Sequence, residues 1–90
     1  MRIEWDPAKA RSNMAKHGVS FSDVEPAFYD DCALSRLDDT WAEEERYVLI
    51  GADALGRVVT VCYTYRGVSI RIISARRATR AERRGYAKRV

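Results

Sequence analysis

The sequence predicts an α+β fold, a small and mainly antiparallel sheet with helices packed on one side. Three observations predict it. Val, Ile, Tyr and Thr crowd the stretch from Arg46 to Ala75, which is broken by two short turn sequences. Clear helix starts stand on either side of that stretch, at Asp6-Pro7 and at Thr79. The chain has 90 residues, enough for one domain with a modest core and too few for two, so a single domain over 1–90 is expected. Hydrophobic residues make up 47% and charged residues 32%, a balance that can bury a core.

Residues 2 to 5 alternate polar and apolar as a short strand does. Asp6 then serves as an N-cap with Pro7 at the first helical position, and a helix runs over residues 7 to about 16 before Gly18 stops it. Ser20 or Ser22 can cap a second helix whose Phe21, Val24 and Phe28 share a face, and Pro26 limits how early it begins. A strand is expected over 32 to 37. After it comes an acidic loop over 38 to 45 carrying Trp41, which reads as exposed, whereas Trp5 reads as core.

Residues 46 to 52 and 57 to 65 read as strands joined by a hairpin loop at Asp53-Ala54-Leu55-Gly56. Arg66-Gly67 turns the chain into a third strand over 68 to 75, which completes an antiparallel meander. Thr79-Arg80-Ala81-Glu82 is a capping box, so a last helix starts at Arg80 and runs to about residue 88. Gly85 costs that helix about 1 kcal/mol relative to Ala. Arg80, Arg84 and Lys88 also repel one another at i, i+4 spacing, so the segment is expected to draw much of its order from an anion.

The net charge of +3 conceals an asymmetry. Residues 1 to 65 carry 7 Lys or Arg against 12 Asp or Glu, a balance of −5, whereas residues 66 to 90 carry nine cations against Glu82 alone, a balance of +8. A basic block of this kind meets nucleic acid, an anionic membrane or an acidic protein. Eight of the nine cations are Arg, whose planar fork grips phosphate and stacks on bases, so RNA fits best. A membrane reading lacks the bulky apolar helix face it needs. The N-terminus lacks a signal peptide's apolar region and no apolar run reaches the length of a membrane span, so a cytoplasmic protein is expected. Cys32 and Cys62 fit no paired or zinc spacing and read as buried free thiols.

Strict alternation over 68 to 75 puts Ile70, Ile72 and Ser74 on one face and Ser69, Arg71 and Ile73 on the other. Arg71, with Arg76 and Arg77 past the strand end and Arg80 on the first helical turn, is then expected to converge near one sheet corner. Four guanidinium groups there would bind a phosphodiester and stabilise charge developing on it. Cleaving RNA without metal also needs the 2′-OH deprotonated and the leaving oxygen protonated. His17 is the one imidazole, a group that titrates near neutral pH, and a helix C-terminus favours its protonated form. Glu4, Glu82, Lys9, Lys16 and Tyr86 are other possible proton handlers. Plainer readings stand beside these: His17 as a helix-end residue, Glu82 as half of the capping box, the arginines as a solvated face. One His and two distant Cys form no metal-ligand set, and no cofactor is implied.

Three segments, WDPAKARSNMAKHGVSF, GADALGRVVTVCYTYRG and RIISARRATRAERRGY, together and in this order resemble the BrnT family of toxins from bacterial type II toxin–antitoxin systems. The resemblance covers nearly the whole chain. It implies a RelE-like ribonuclease fold with an open basic face, and RNA cleavage that shuts down translation and arrests growth. It implies a BrnA-like antitoxin that neutralises the toxin in a heterotetramer and makes the DNA contact. Onto this chain it carries basic positions at Arg71 and Arg76, at Arg80, Arg83 and Arg84 beside Glu82, and at Lys16-His17. The expected catalytic set is His17, Arg71, Arg76 and Arg80, with Lys16, Arg77, Arg83 and Arg84 holding RNA. Pro26 and Gly85 depart from the family pattern. The alternative is a non-catalytic basic module that docks an acidic protein or nucleic acid. A mixed reading has one basic surface taking RNA when free and the antitoxin when neutralised.

Overall fold

A computed structural model of the chain describes residues 1–38 and 44–89, so Trp41 and most of the acidic loop lie outside the described residues. The elements in order are β1 (Arg2–Glu4), α1 (Pro7–His17), α2 (Phe21–Val24) continued by a 3-10 turn (Glu25–Tyr29), β2 (Leu34–Asp38), β3 (Arg46–Ala52), β4 (Val58–Arg66), β5 (Ser69–Arg77) and α3 (Arg80–Ala87). They form a five-stranded sheet in the order β1-β5-β4-β3-β2. Three of its pairings are antiparallel, and β1 lies parallel to β5.

Local chemistry sets the first two helices. The Asp6 side chain accepts from the Ala8 N–H at 2.9 Å to open α1, and Gly18 closes it at φ 68°, donating its N–H to the Met14 carbonyl. The second helix is shorter than the shared face of Phe21, Val24 and Phe28 suggests. Pro26 stands where the chain tightens into the 3-10 turn, at a helix start, where a missing N–H costs least. That turn packs on β3 at Gly51, where a Cβ would stand 3.2 Å from the Ala27 carbonyl oxygen, so glycine there lets the two backbones approach.

The core lies between α1, α2 and the 3-10 turn on one side and the sheet on the other. Val19, Phe21, Val24 and Ala27 pack there on Leu49, Val59, Val61, Tyr63, Ile70, Ile72 and Ala75. Trp5 joins it edge-on to Phe21, as its sequence position suggests. The α+β class and the mainly antiparallel sheet are those the sequence predicts. The packing of helices on one side describes α1 and α2; α3 lies instead across a corner of the opposite face. Its Glu82 meets Thr60, which alternates with core-facing Val59 and Val61, and its Gly85 faces Leu34 on the edge strand.

The β4–β5 pairing corrects the strict alternation expected for the third meander strand. Cys62 pairs with Ser74 but Tyr63 pairs with Ile72, so Ile73 is an extra residue in β5, a bulge. Past it the faces exchange. Ala75 enters the core with no exposed surface, and Ser74 turns outward with Cys62. Both cysteines are free thiols, and both are half-buried where full burial was expected.

Candidate active site

The bulge decides which arginines share a face. Arg71 pairs with Thr64 and Arg76 with Thr60, and both point away from the core. Their separation in sequence is odd, so an unbroken strand would have set them on opposite faces. They stand four rungs apart along β4, about 13 Å at ordinary strand rise. The expected convergence of four guanidinium groups at one corner is therefore replaced by a track. Arg77 is exposed and alternates to the other side of the sheet, opposite core-facing Val59. Arg80 stands exposed on the first turn of α3, and Arg84 one turn further on. Arg83 folds back on its own turn, donating from Nη1 to the Ala78 carbonyl at 2.7 Å.

Two grooves flank the bulge and share Lys9 and Ile73. One is lined by Asp6, Lys9, Glu44, Arg46, Thr64, Arg66 and Arg71. The other is lined by Lys9, Ser12, Asn13, Lys16, His17, Ile73 and Ser74. The structure thus brings His17 and Lys16 beside the outward-turned Ser74, midway along the arginine track. Both side chains are exposed at the C-terminal end of α1. Sequence reasoning missed Arg46, and it counted Arg66 in the basic block without giving it a place. Glu44 lies between the two, 3.3 Å from Arg46 and 3.8 Å from Arg66. The signal was available in the alternation of Arg46 with Tyr47, which faces the core cluster.

Arg76 is not a free cation. Its Nη1 and Nη2 donate to Glu82 Oε1 and Oε2 at 2.8 and 3.0 Å, a bidentate pair. Glu82 Oε1 also accepts from Thr60 Oγ1 at 2.9 Å and from the Thr79 N–H at 2.8 Å, which closes the capping box that the sequence predicts. The Arg76 fork, with help from the Thr79 N–H and the Thr60 hydroxyl, holds the Glu82 carboxyl down at about 2 against the cost of burial. A carboxylate so held stays ionised and cannot lend a proton near neutral pH.

The chain's own anions bond α3 to the sheet and to the 3-10 turn's end. Besides Glu82, Asp30 accepts from the Tyr86 hydroxyl at 2.6 Å, which lowers the Asp30 carboxyl and pushes the Tyr86 phenol up to about 12. Arg89 adds a bond to the Cys32 carbonyl. The Tyr86 hydroxyl is thereby committed to Asp30. The half-buried Cys62 thiol is pushed up by burial, although Arg46 on the same face opposes this.

Among the described residues no group of three or more His, Cys, Asp or Glu side chains fits a metal ion. No helix among them is long and apolar enough to cross a membrane.

The fold matches a crystal structure of the ribonuclease toxin BrnT from Brucella abortus with a TM-score of 0.69 and 29% sequence identity. That match covers 89% of this chain and 99% of that one. No curated protein matches the sequence. The family model for the ribonuclease toxin BrnT of type II toxin–antitoxin systems matches residues 5–82, a span that takes in α1, the whole meander and the Glu82 end of the capping box. The chain therefore belongs to the BrnT family of ribonuclease toxins, as the three sequence segments imply.

Proposed function

We propose that this ribonuclease cleaves RNA along the open face of β5 without a metal ion, and that Arg71 and Arg76 hold successive parts of the strand. The observation that carries the reading is the bulge at Ile73, which sets both arginines on one face with His17 and Lys16 beside the gap between them. In the reaction the 2′ oxygen attacks phosphorus and the bond to the 5′ oxygen breaks, leaving a 2′,3′-cyclic phosphate and a 5′-hydroxyl. The 2′ proton passes to a base and the departing oxygen takes one from an acid. His17 carries one of these transfers. Arg76 offsets the charge that gathers on the phosphoryl oxygens, and Arg71 grips the neighbouring part of the strand. Arg80 assists from α3, and Lys16, Arg77 and Arg84 hold the flanking backbone electrostatically. Arg83, tied to the Ala78 carbonyl, contributes least.

Residues 1–90 act as one toxin domain in the cytoplasm. A type II toxin has a protein antitoxin, here a BrnA-like chain forming a heterotetramer and supplying the DNA contact. It covers the same basic end, which carries a balance of +8 over residues 66 to 90 and so attracts an acidic partner as it attracts RNA.

The test is digestion of a defined single-stranded RNA by the purified chain, with and without chelator, beside Arg71→Ala. Cleavage is expected in both buffers with cyclic-phosphate ends, and the variant should lose about tenfold or more in rate. Cleavage abolished by chelator would sink metal independence. An undiminished Arg71→Ala would remove that residue from the site.

A further inference from the structure

We infer that Glu82 is a positioning residue for RNA cleavage: it fixes the plane and direction of the Arg76 guanidinium on the open face, over and above its part in capping α3. The inference rests on the reading that Arg76 meets the phosphate.

Capping uses only one oxygen. The Thr79 N–H and the Thr60 hydroxyl both go to Oε1, whereas Oε2 serves Arg76 Nη2 at 3.0 Å. A capping box works with Gln as well as Glu at this position. The second oxygen is therefore in excess of what α3 requires. What it adds is the second of two parallel bonds to a guanidinium, the arrangement that sets orientation as well as distance. Arg76 needs such a hold. It stands at the end of β5 with its side chain 42% exposed, and among the described residues a 3.3 Å contact to the Arg77 carbonyl joins Glu82 in restraining it. A long side chain in that position otherwise spreads over many rotamers, and catalytic donors act best when they need not reorganise. The Thr60 hydroxyl fixes Glu82 in turn, so the chain of restraint runs from the central strand β4 through α3 to Arg76.

Glu82→Gln separates the two roles. The amide keeps an oxygen for the Thr79 N–H, but its NH2 donates, so it opposes Nη2 of Arg76 where a carboxylate accepts. We would measure single-turnover cleavage of a defined RNA by the parent chain, Glu82→Gln, Arg76→Ala and the double variant, with thermal midpoints for each. Glu82→Gln is expected to slow the cleavage step about tenfold in the parent and at most about twofold on top of Arg76→Ala, because residues that act as one unit are not additive. Helix capping alone would give the same loss in both backgrounds, and that result overturns the inference. Cleavage by Glu82→Gln at the parent rate, with Arg76→Ala impaired, overturns it too. An unimpaired Arg76→Ala would instead remove the phosphate role of Arg76, and this inference with it.

Discussion

Asn13 takes the place of a neighbouring strand for Ala75. Its Oδ1 accepts from the Ala75 N–H at 3.0 Å, and its Nδ2 donates to the Ala75 carbonyl at 2.8 Å and to the Val19 carbonyl at 2.9 Å. β1 pairs with β5 only as far as Arg71, so the outer edge of β5 beyond it would otherwise be buried with its backbone groups unpaired. Asn is suited to this because one amide offers both an acceptor and donors. Asn13→Ala should cost about 2 to 3 kcal/mol, since it leaves buried backbone groups unsatisfied. Asn13→Asp should fail nearly as badly, because a carboxylate cannot donate to either carbonyl. Urea unfolding of the two variants checks this; an Ala variant within about 0.5 kcal/mol of the parent would show that water or a shifted strand replaces the side chain.

Gly85 is a sequence penalty that the packing does not require. A Cβ there would meet nothing closer than Leu34 Cδ1 at 3.9 Å, an ordinary contact, and the backbone is helical. Gly85→Ala should therefore stabilise the chain by about 0.5 to 1 kcal/mol. Thermal unfolding measures it. A lower midpoint would mean that α3 sits closer to the Leu34 corner than 3.9 Å allows. Gly51 gives the contrast: its Cβ would stand 3.2 Å from backbone oxygen, and Ala there should destabilise.

Helix ends, the hairpin loop, the capping box and the basic block were legible in the sequence because each depends on residues within a few positions of one another. Asp6, Gly18 and Thr79 do locally what their types do generally. The composite site was less legible, because it depends on contacts that sequence spacing does not carry. Nothing in Val68-Ser69-Ile70-Arg71-Ile72-Ile73-Ser74-Ala75 announces a bulge, since Ile73 is as good a strand residue as Ile72. Missing it put Ser74 on the wrong face, with Ile70 and Ile72. Asn13 carries an ordinary polar type on a helix and becomes structural only because β1 is short. Glu82 was correctly placed in its cap, and its grip on Arg76 appeared only when α3 was laid against β4 and β5.

The Glu82–Arg76 pair also sets a pH signature with a definite sign. The Glu82 carboxyl is held at about 2 in the folded chain against an ordinary 4.5, so its pairing contributes stability above about pH 4.5 and loses that contribution as pH falls toward 2. Glu82→Gln has no such proton to bind. The stability of the parent minus that of Glu82→Gln should therefore be flat above about pH 5 and fall steadily between 4.5 and 2. Asp30 is lowered in both proteins by its bond from Tyr86 and cancels in the difference. Neither the sign nor the size of the plateau matters, because replacing the carboxylate also changes desolvation and hydrogen bonding. Urea midpoints at a series of acid pH values supply the curve. If it stayed level down to pH 2, the carboxylate would be no better held in the folded chain than in the unfolded one, and the short bonds to Arg76 would carry no free energy.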